Sequence, residues 1–165
     1  MRKILKKIAL LCVVALNLSC SEQDAIKEDV QVLAKHLYEF SVIMLKKEGE
    51  FAPIGAALDT NFEIKSYEVA ATNPNSDENE LVQLLTDQFI KEASEGKIYA
   101  SALVYNIVAT SPITGEKSDA IAIVADHYLG YSAAIIYPYE ISTSGLVFGD
   151  TWVQEDAVQV FKKET

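Results

Sequence analysis

Residues 118–141 read SDAIAIVADHYLGYSAAIIYPYEI. Within this stretch, two apolar runs, 120–127 and 132–141, flank the turn-forming residues 128–131. A connection this short predicts antiparallel strands, because a parallel crossover needs about a dozen or more residues. Both faces of the two predicted strands are apolar, whereas an antiparallel sheet with one solvated face alternates apolar and polar residues. We therefore expect both faces of this sheet to be covered.

Further runs with the composition of strands lie on either side of this hairpin and extend the predicted sheet. They are 51–58, 62–70, 98–110, 146–153 and 156–161. Five aromatic residues fall in or beside the C-terminal runs, where we interpret them as core or cross-strand residues, with stacking on a sugar or a protein partner as the alternative. These aromatic residues are Tyr128, Tyr131, Tyr137, Tyr139 and Trp152.

Two segments have the apolar periodicity of amphipathic helices, 24–48 and 77–95. In the first segment, Leu33 and Leu37 lie on the apolar stripe and are predicted to face the sheet, whereas His36 lies off it. The second segment is predicted to be capped by Asn75 or Ser76 and to end at glycine 96, as the first ends at glycine 49.

This order of elements predicts an α+β fold with the sequence α-β-β-α-β-β-β-β, in which an antiparallel sheet of five or six strands packs against two helices. In its order of elements the chain resembles profilin-type and roadblock-type domains, and an analogy of fold carries no function. We expect both helices on one face, because a helix about 10 Å wide covers about two strands spaced 4.8 Å apart.

The opposite face of the predicted sheet then needs another cover, because monomers seldom expose a large apolar patch. We expect this face to bind a protein partner or a second copy of the chain, with Ile121, Ile123 and Tyr137 near its centre. The alternative is that residues 146–161 fold back over it.

The N-terminal residues 1–19 resemble a bacterial lipoprotein signal. Four basic residues precede an apolar run, 8–16, that is too short to span a bilayer, and Ser19 and Cys20 follow. Asn17 departs from the usual lipobox, which has Leu there, and an ordinary signal peptide cut nearby is the alternative. We predict a signal peptide over 1–19, a lipidated Cys20 in a tether over 20–23, and one α+β domain over 24–165.

The charge of the chain limits its partners. The formal net charge is −10, and residues 1–19 hold four of the 14 basic residues and none of the 24 acidic ones, so the remainder carries −14. Phosphate contacts need clustered Lys and Arg, so we predict no nucleic-acid partner. We expect the lipid anchor to supply the membrane attachment that an acidic surface cannot, which places the protein in the bacterial cell envelope, at the outer membrane or cell surface.

Residues with chemical function are few. Asp126 and His127 end a predicted strand and Tyr131 follows the turn, which makes them the candidate site of a small hydrolase or a ligand-binding domain. The G-x-S-x-G motif of many hydrolases is absent from the sequence, and we predict no catalytic residue.

The Asn and Asp residues alternating over 73–79 begin like a calcium loop. Glu78 and Leu84 then occupy the positions that require Gly and Glu, so we interpret this segment as a helix cap. We predict no metal site and no cofactor.

Three sequence motifs resemble those of a group of small bacterial proteins with no assigned activity. They are EFAPIGAALD at 50–59, SDAIAI at 118–123 and YPY at 137–139. The resemblance covers roughly residues 35–150, and Ile54 stands where Phe is often found. It implies the architecture and no chemistry.

Taken with the predicted anchor, these features predict a lipid-anchored cell-envelope protein that binds another macromolecule. One version is an immunity-type protein, whose acidic surface masks a basic toxin. The alternative is the small hydrolase or ligand-binding domain at the end of the sheet that carries Asp126 and His127. An open pocket containing His127 would favour this alternative, and a flat apolar sheet face would favour the first hypothesis.

Overall fold

The computed structural model describes residues 2–155 and 160–161, and the side chains of 23–154 and 160–161. The side chain of Cys20, where lipidation is predicted, lies outside the described side chains. Residues 156–159 of the last predicted strand lie outside the described residues. The elements are α1 (Arg2–Glu48), β1 (Ile54–Asp59), β2 (Ile64–Glu68), α2 (Glu78–Ser94), β3 (Ile98–Thr110), β4 (Lys117–His127), β5 (Tyr131–Ser142), β6 (Gly145–Phe148) and β7 (Trp152–Glu155).

The ends of the helices follow from local chemistry. Asp77 caps α2, since its Oδ1 accepts a hydrogen bond from the Glu80 backbone N–H (2.9 Å) and the Asp77 N–H donates to Glu80 Oε2 (3.2 Å). The predicted caps at Asn75 and Ser76 are therefore wrong by one or two residues. Gly49 follows the end of α1 with a φ of 80°, a conformation that suits glycine and that was expected there.

All seven strands form one antiparallel sheet with the order β2-β1-β3-β4-β5. The long β5 pairs with two short strands, β6 along residues 139–142 and β7 along residues 133–136. The run predicted as a single strand over 146–153 is therefore two strands. They separate at Gly149, whose N–H donates to the Pro138 carbonyl at 2.9 Å. The predicted α+β class, with an antiparallel sheet and two helices in this order, is confirmed.

The two helices lie on opposite faces of the sheet. Leu33 and Leu37 of α1 pack on one side, which we call the α1 face. Its buried strand residues are Ile54, Ala56, Leu58, Ala100, Ala102, Val104, Ile121, Ile123 and Ala125. Leu85 and Phe89 of α2 pack on the other side, the α2 face, against Ala57 and Leu103. The expectation that both helices share one face is wrong, because both faces are apolar and each takes one helix.

The predicted binding face around Ile121 and Ile123 is also wrong. Both side chains are 0% exposed in the single chain, because α1 lies over them. Tyr137 is half-buried, with its ring centroid 4.6 Å from that of Tyr38 in α1. The core prediction for α1 is confirmed, since Leu33 and Leu37 are fully buried, whereas His36 is only half-buried and its Nε2 lies 3.0 Å from Ser66 Oγ of β2.

The α2 face beyond the reach of α2 is covered in part by the C-terminal residues. Trp152 of β7 packs beside Ile136 of β5, and Val160 is buried against Phe89 and Leu103. The alternative expectation, that residues 146–161 fold back over the face of Ile121 and Ile123, is not what residues 152 and 160–161 do: they fold over the α2 face, and α1 covers Ile121 and Ile123. Within the part of the chain that the structure describes, no helix is both long and apolar enough to cross a membrane.

Candidate functional site

The end of β4 carries Asp126 and His127, which point to opposite faces of the sheet because successive strand residues alternate. On the α2 face, Asp126 Oδ2 accepts hydrogen bonds from the backbone N–H groups of Val160 and Phe161. On the α1 face, His127 Nε2 lies 3.3 Å from Asp29 Oδ2. The structure therefore does not bring the predicted pair Asp126 and His127 together.

The hydrogen bonds of His127 define its tautomer. The backbone N–H of Leu129 donates to Nδ1 at 3.2 Å, so Nδ1 is the unprotonated nitrogen and Nε2–H donates to Asp29. Burial lowers the pKa of His127, whose side chain is 2% exposed, against the opposing effect of Asp29. The imidazole is neutral near pH 7, and both nitrogens are engaged by the protein. A general base needs a free nitrogen within reach of the substrate, which this arrangement does not provide.

A cavity of about 380 Å³ opens beside His127, which we call the His127 cavity. It lies between residues 25–29 of α1, the β1–β2 turn, β3 and the turn after β4. The described residues that line it are Ala25, Ile26, Asp29, Thr60, Phe62, Tyr99, His127, Tyr128 and Leu129.

The β1–β2 turn places an aromatic ring at this cavity. Asp59 Oδ1 accepts hydrogen bonds from the N–H groups of Asn61 (2.8 Å) and Glu63 (3.1 Å), and Lys65 Nζ lies 3.1 Å from Asp59 Oδ2. The two backbone hydrogen bonds, and then Lys65, lower the pKa of Asp59. Within this turn Phe62 has a φ of 64°, the left-handed conformation that non-glycine residues seldom adopt. The turn thus holds Phe62 in a strained and mostly exposed position at the cavity.

Tyr99 is the centre of an aromatic cluster in the cavity wall. Its ring centroid lies 5.5 Å from that of Phe62, 5.7 Å from that of His127 and 6.1 Å from that of Tyr128. The three ring planes make angles of 65°, 82° and 89° with the plane of Tyr99. These rings meet edge to face, the arrangement that aromatic quadrupoles favour, and they form corners instead of a stack.

The hydroxyl group of Tyr99 is enclosed within the protein, and the nearby Asp29 carboxylate is the charged group that acts on it most strongly. Burial, followed by the charges of Asp29 and Asp59, raises the pKa of Tyr99 to about 12. The hydroxyl therefore stays protonated at neutral pH.

Tyr131, the third predicted site residue, pairs with His127 across the β4–β5 hairpin and lies on the same face. It lines a neighbouring depression of about 320 Å³ with Ile26, Lys27 and Leu129. The structure thus keeps His127 and Tyr131 as neighbours, separates Asp126 from them, and buries Ile121 and Ile123 elsewhere.

Sequence reasoning missed Asp29, Phe62 and Tyr99 as site residues. Asp29 lies 98 positions from His127, so no local pattern marks it as a partner of that histidine. Tyr128 was noted as aromatic and interpreted as a core residue, whereas it is exposed at the cavity. The isolated turn sequence Asp-Thr-Asn before Phe62 was the one available signal, since such residues favour unusual backbone conformations.

Two further observations bear on the chemistry. No group of three His, Cys, Asp or Glu side chains converges among the described residues. Comparisons with protein-family models, curated proteins and solved structures give no significant match to this chain. Among the described residues, the His127 cavity is therefore the feature that points to a function.

Proposed function

We propose that this protein is a lipid-anchored protein of the bacterial cell envelope that binds a small ligand in the His127 cavity. The observation that carries the proposal is the cavity itself. Its volume of about 380 Å³ falls within the usual range of ligand pockets, and its lining is mostly apolar and aromatic with a few polar groups. Because both nitrogens of His127 are engaged, the arrangement supports binding more than hydrolysis.

The position of the cavity along the chain fits a lipid anchor at Cys20. Ala25, Ile26 and Asp29 line the cavity and follow Cys20 by five to nine residues on the same helix. At about 1.5 Å of rise per residue, this spacing puts them about 8–14 Å from the anchored end. A lipidated Cys20 would therefore hold the cavity close to the membrane surface.

A macromolecular partner is the second candidate function, and one observation favours it. Val108 and Ile113, in and beyond the end of β3 that lies farthest from His127, are 69% and 78% exposed. Exposed apolar side chains of this kind mark contact sites when they cluster. The immunity-type hypothesis and binding of a second copy belong to this candidate, at this end of the sheet and not at Ile121 and Ile123.

The small-ligand proposal is tested with a neutral probe, 3,3-dimethylbutan-1-ol. The full-length protein is held in a maltoside with a deuterated alkyl chain, and saturation-transfer NMR is recorded with irradiation of the aromatic protons, which the detergent lacks. We expect a saturable signal from the tert-butyl group that disappears in Ala25→Trp, since this side chain would fill the cavity.

The matched control is Val32→Trp, which places the same ring at an exposed site of α1 outside the cavity. This variant should keep the wild-type signal. Equal signals from Ala25→Trp and Val32→Trp would contradict binding in the His127 cavity.

A further inference from the structure

We propose that the His127 cavity binds an organic ammonium cation, enclosed by the rings of Phe62, Tyr99 and Tyr128 and facing the carboxylate of Asp29. This inference rests on the proposed function of the cavity as a ligand site and names the class of its ligand.

The aromatic walls supply the first part of the argument. A cation is attracted to the face of an aromatic ring when it lies within about 6 Å of the centroid. Phe62 and Tyr128 both line the cavity, and their ring planes are inclined to that of Tyr99 by 65° and 89°. Rings arranged as corners offer more than one ring to a single group, which is the design of the aromatic cages that bind methylated ammonium groups.

The charge of the cavity supplies the second part. Asp29 lines it with a quarter of its side chain exposed, and its hydrogen-bond donor, His127, is neutral because burial disfavours the imidazolium. The carboxylate charge is therefore not cancelled by its neighbour. The nine described lining residues include no Lys or Arg, so nothing among them competes with a bound cation. The chain's net charge of −10 adds to the attraction and disfavours anions.

Together these two features define the ligand: a positive charge that faces Asp29 and a compact apolar surface that packs against the rings. Quaternary amino alcohols have this chemistry, both as free molecules and as the headgroups of phospholipids.

The experiment compares choline with 3,3-dimethylbutan-1-ol, which has the same shape and no charge. Choline is added to the full-length protein and the neutral probe under the NMR conditions given above. The loss of the neutral probe's signal then measures the affinity of choline for the cavity. We expect choline to bind about tenfold more tightly than its neutral isostere, as a cation among aromatic rings and a carboxylate should. Glycerophosphocholine is a further competitor: equal competition by it would identify a headgroup as the source, and competition by choline alone would identify the free amino alcohol. Either result supports an ammonium ligand.

Three variants make the test specific. Asp29→Asn keeps the shape and the acceptor for His127, and should abolish the preference for choline while the neutral probe still binds. Asp24→Asn removes an exposed carboxylate from the same helix outside the cavity and should keep the preference. Phe62→Leu should weaken choline more than the isostere, and because Phe62 is 75% exposed this variant should fold normally.

The outcomes separate this inference from the function on which it rests. If the isostere binds wild type and choline is no tighter, or if Asp29→Asn retains the preference, the ammonium proposal is overturned and the ligand cavity stands. If neither compound binds, the proposed function itself fails.

Discussion

Gly55 of β1 lies directly against Phe89 of α2, and replacing it tests how the α2 face is packed. A methyl group built on Gly55 would place its carbon 2.6 Å from Cζ and 3.2 Å from Cε2 of Phe89. Carbon atoms in contact are about 3.5–4.0 Å apart, so Phe89 or the strand would have to move by about 1 Å.

Phe89 has little room for such a movement. Its side chain is fully buried, and its ring packs edge to face against Tyr67 with 5.0 Å between the centroids. Overpacking of this kind in a dense core costs about 1–3 kcal/mol. We therefore expect Gly55→Ala to lower the free energy of unfolding by that amount, measured by urea unfolding of the full-length protein followed by circular dichroism.

A double-variant cycle shows whether the clash is with Phe89. Phe89→Leu removes the ring atoms nearest to Gly55, so Gly55→Ala should cost much less in that background, with a coupling of about 0.5–3 kcal/mol. Additive losses in the double variant, or a Gly55→Ala protein as stable as wild type, would refute this account of the packing.

Three more predictions concern the helix face of α1, the buried carboxyl group of Asp126 and the N-terminal lipidation. Leu37→Ala should cost about 2–5 kcal/mol of unfolding free energy, because the side chain is fully buried, whereas His36→Ala should cost about 1 kcal/mol, because it removes one hydrogen bond at a half-buried position; similar thermal shifts for both would contradict the assigned helix face. Burial raises the folded-state pKa of Asp126 from 3.8 to about 6, so its contribution to stability falls as pH rises from 3.8 through about 6. Asp126→Asn should therefore melt at a higher temperature than wild type at pH 8 and lose that advantage by pH 4, and a difference independent of pH would contradict the shift. Labelled palmitate should enter wild type and Cys12→Ala and be absent from Cys20→Ala, and equal labelling of all three would contradict the anchor.

The elements of the fold were predictable because their signals are local. The strand over 98–110 has the predicted bounds, and the predicted helix over 77–95 differs from α2 by one residue at each end. The arrangement of the helices was not predictable in this way. Ile121 and Ile123 on one face, and Ala120 and Ala122 on the other, are all apolar, so the pattern of burial does not say which face receives which helix.

The candidate site was predictable only at His127 and Tyr131, which a tight hairpin keeps together. Asp126 is adjacent to His127 in sequence and opposite to it in space, because strand side chains alternate. The true carboxylate partner, Asp29, comes from a helix far away in the chain, and no local pattern links the two. The position of Phe62 depends on a left-handed backbone conformation within a turn, which composition indicates only weakly.

The dipeptide of Asp126 and His127 also has a consequence for the order in which the chain assembles. His127 joins the sheet to a residue 98 positions earlier, and Asp126 joins it to one 34 positions later. Contacts between distant parts of a chain form slowly, because long loops must close first. During synthesis, Asp29 of α1 cannot contact His127 until residue 127 has left the ribosome. Asp126 cannot accept the hydrogen bond from the Val160 N–H until residue 160 has followed. The signal proposed for residues 1–19 leaves the ribosome before either closure is complete, so export that starts during synthesis would act on a chain in which both contacts are still open.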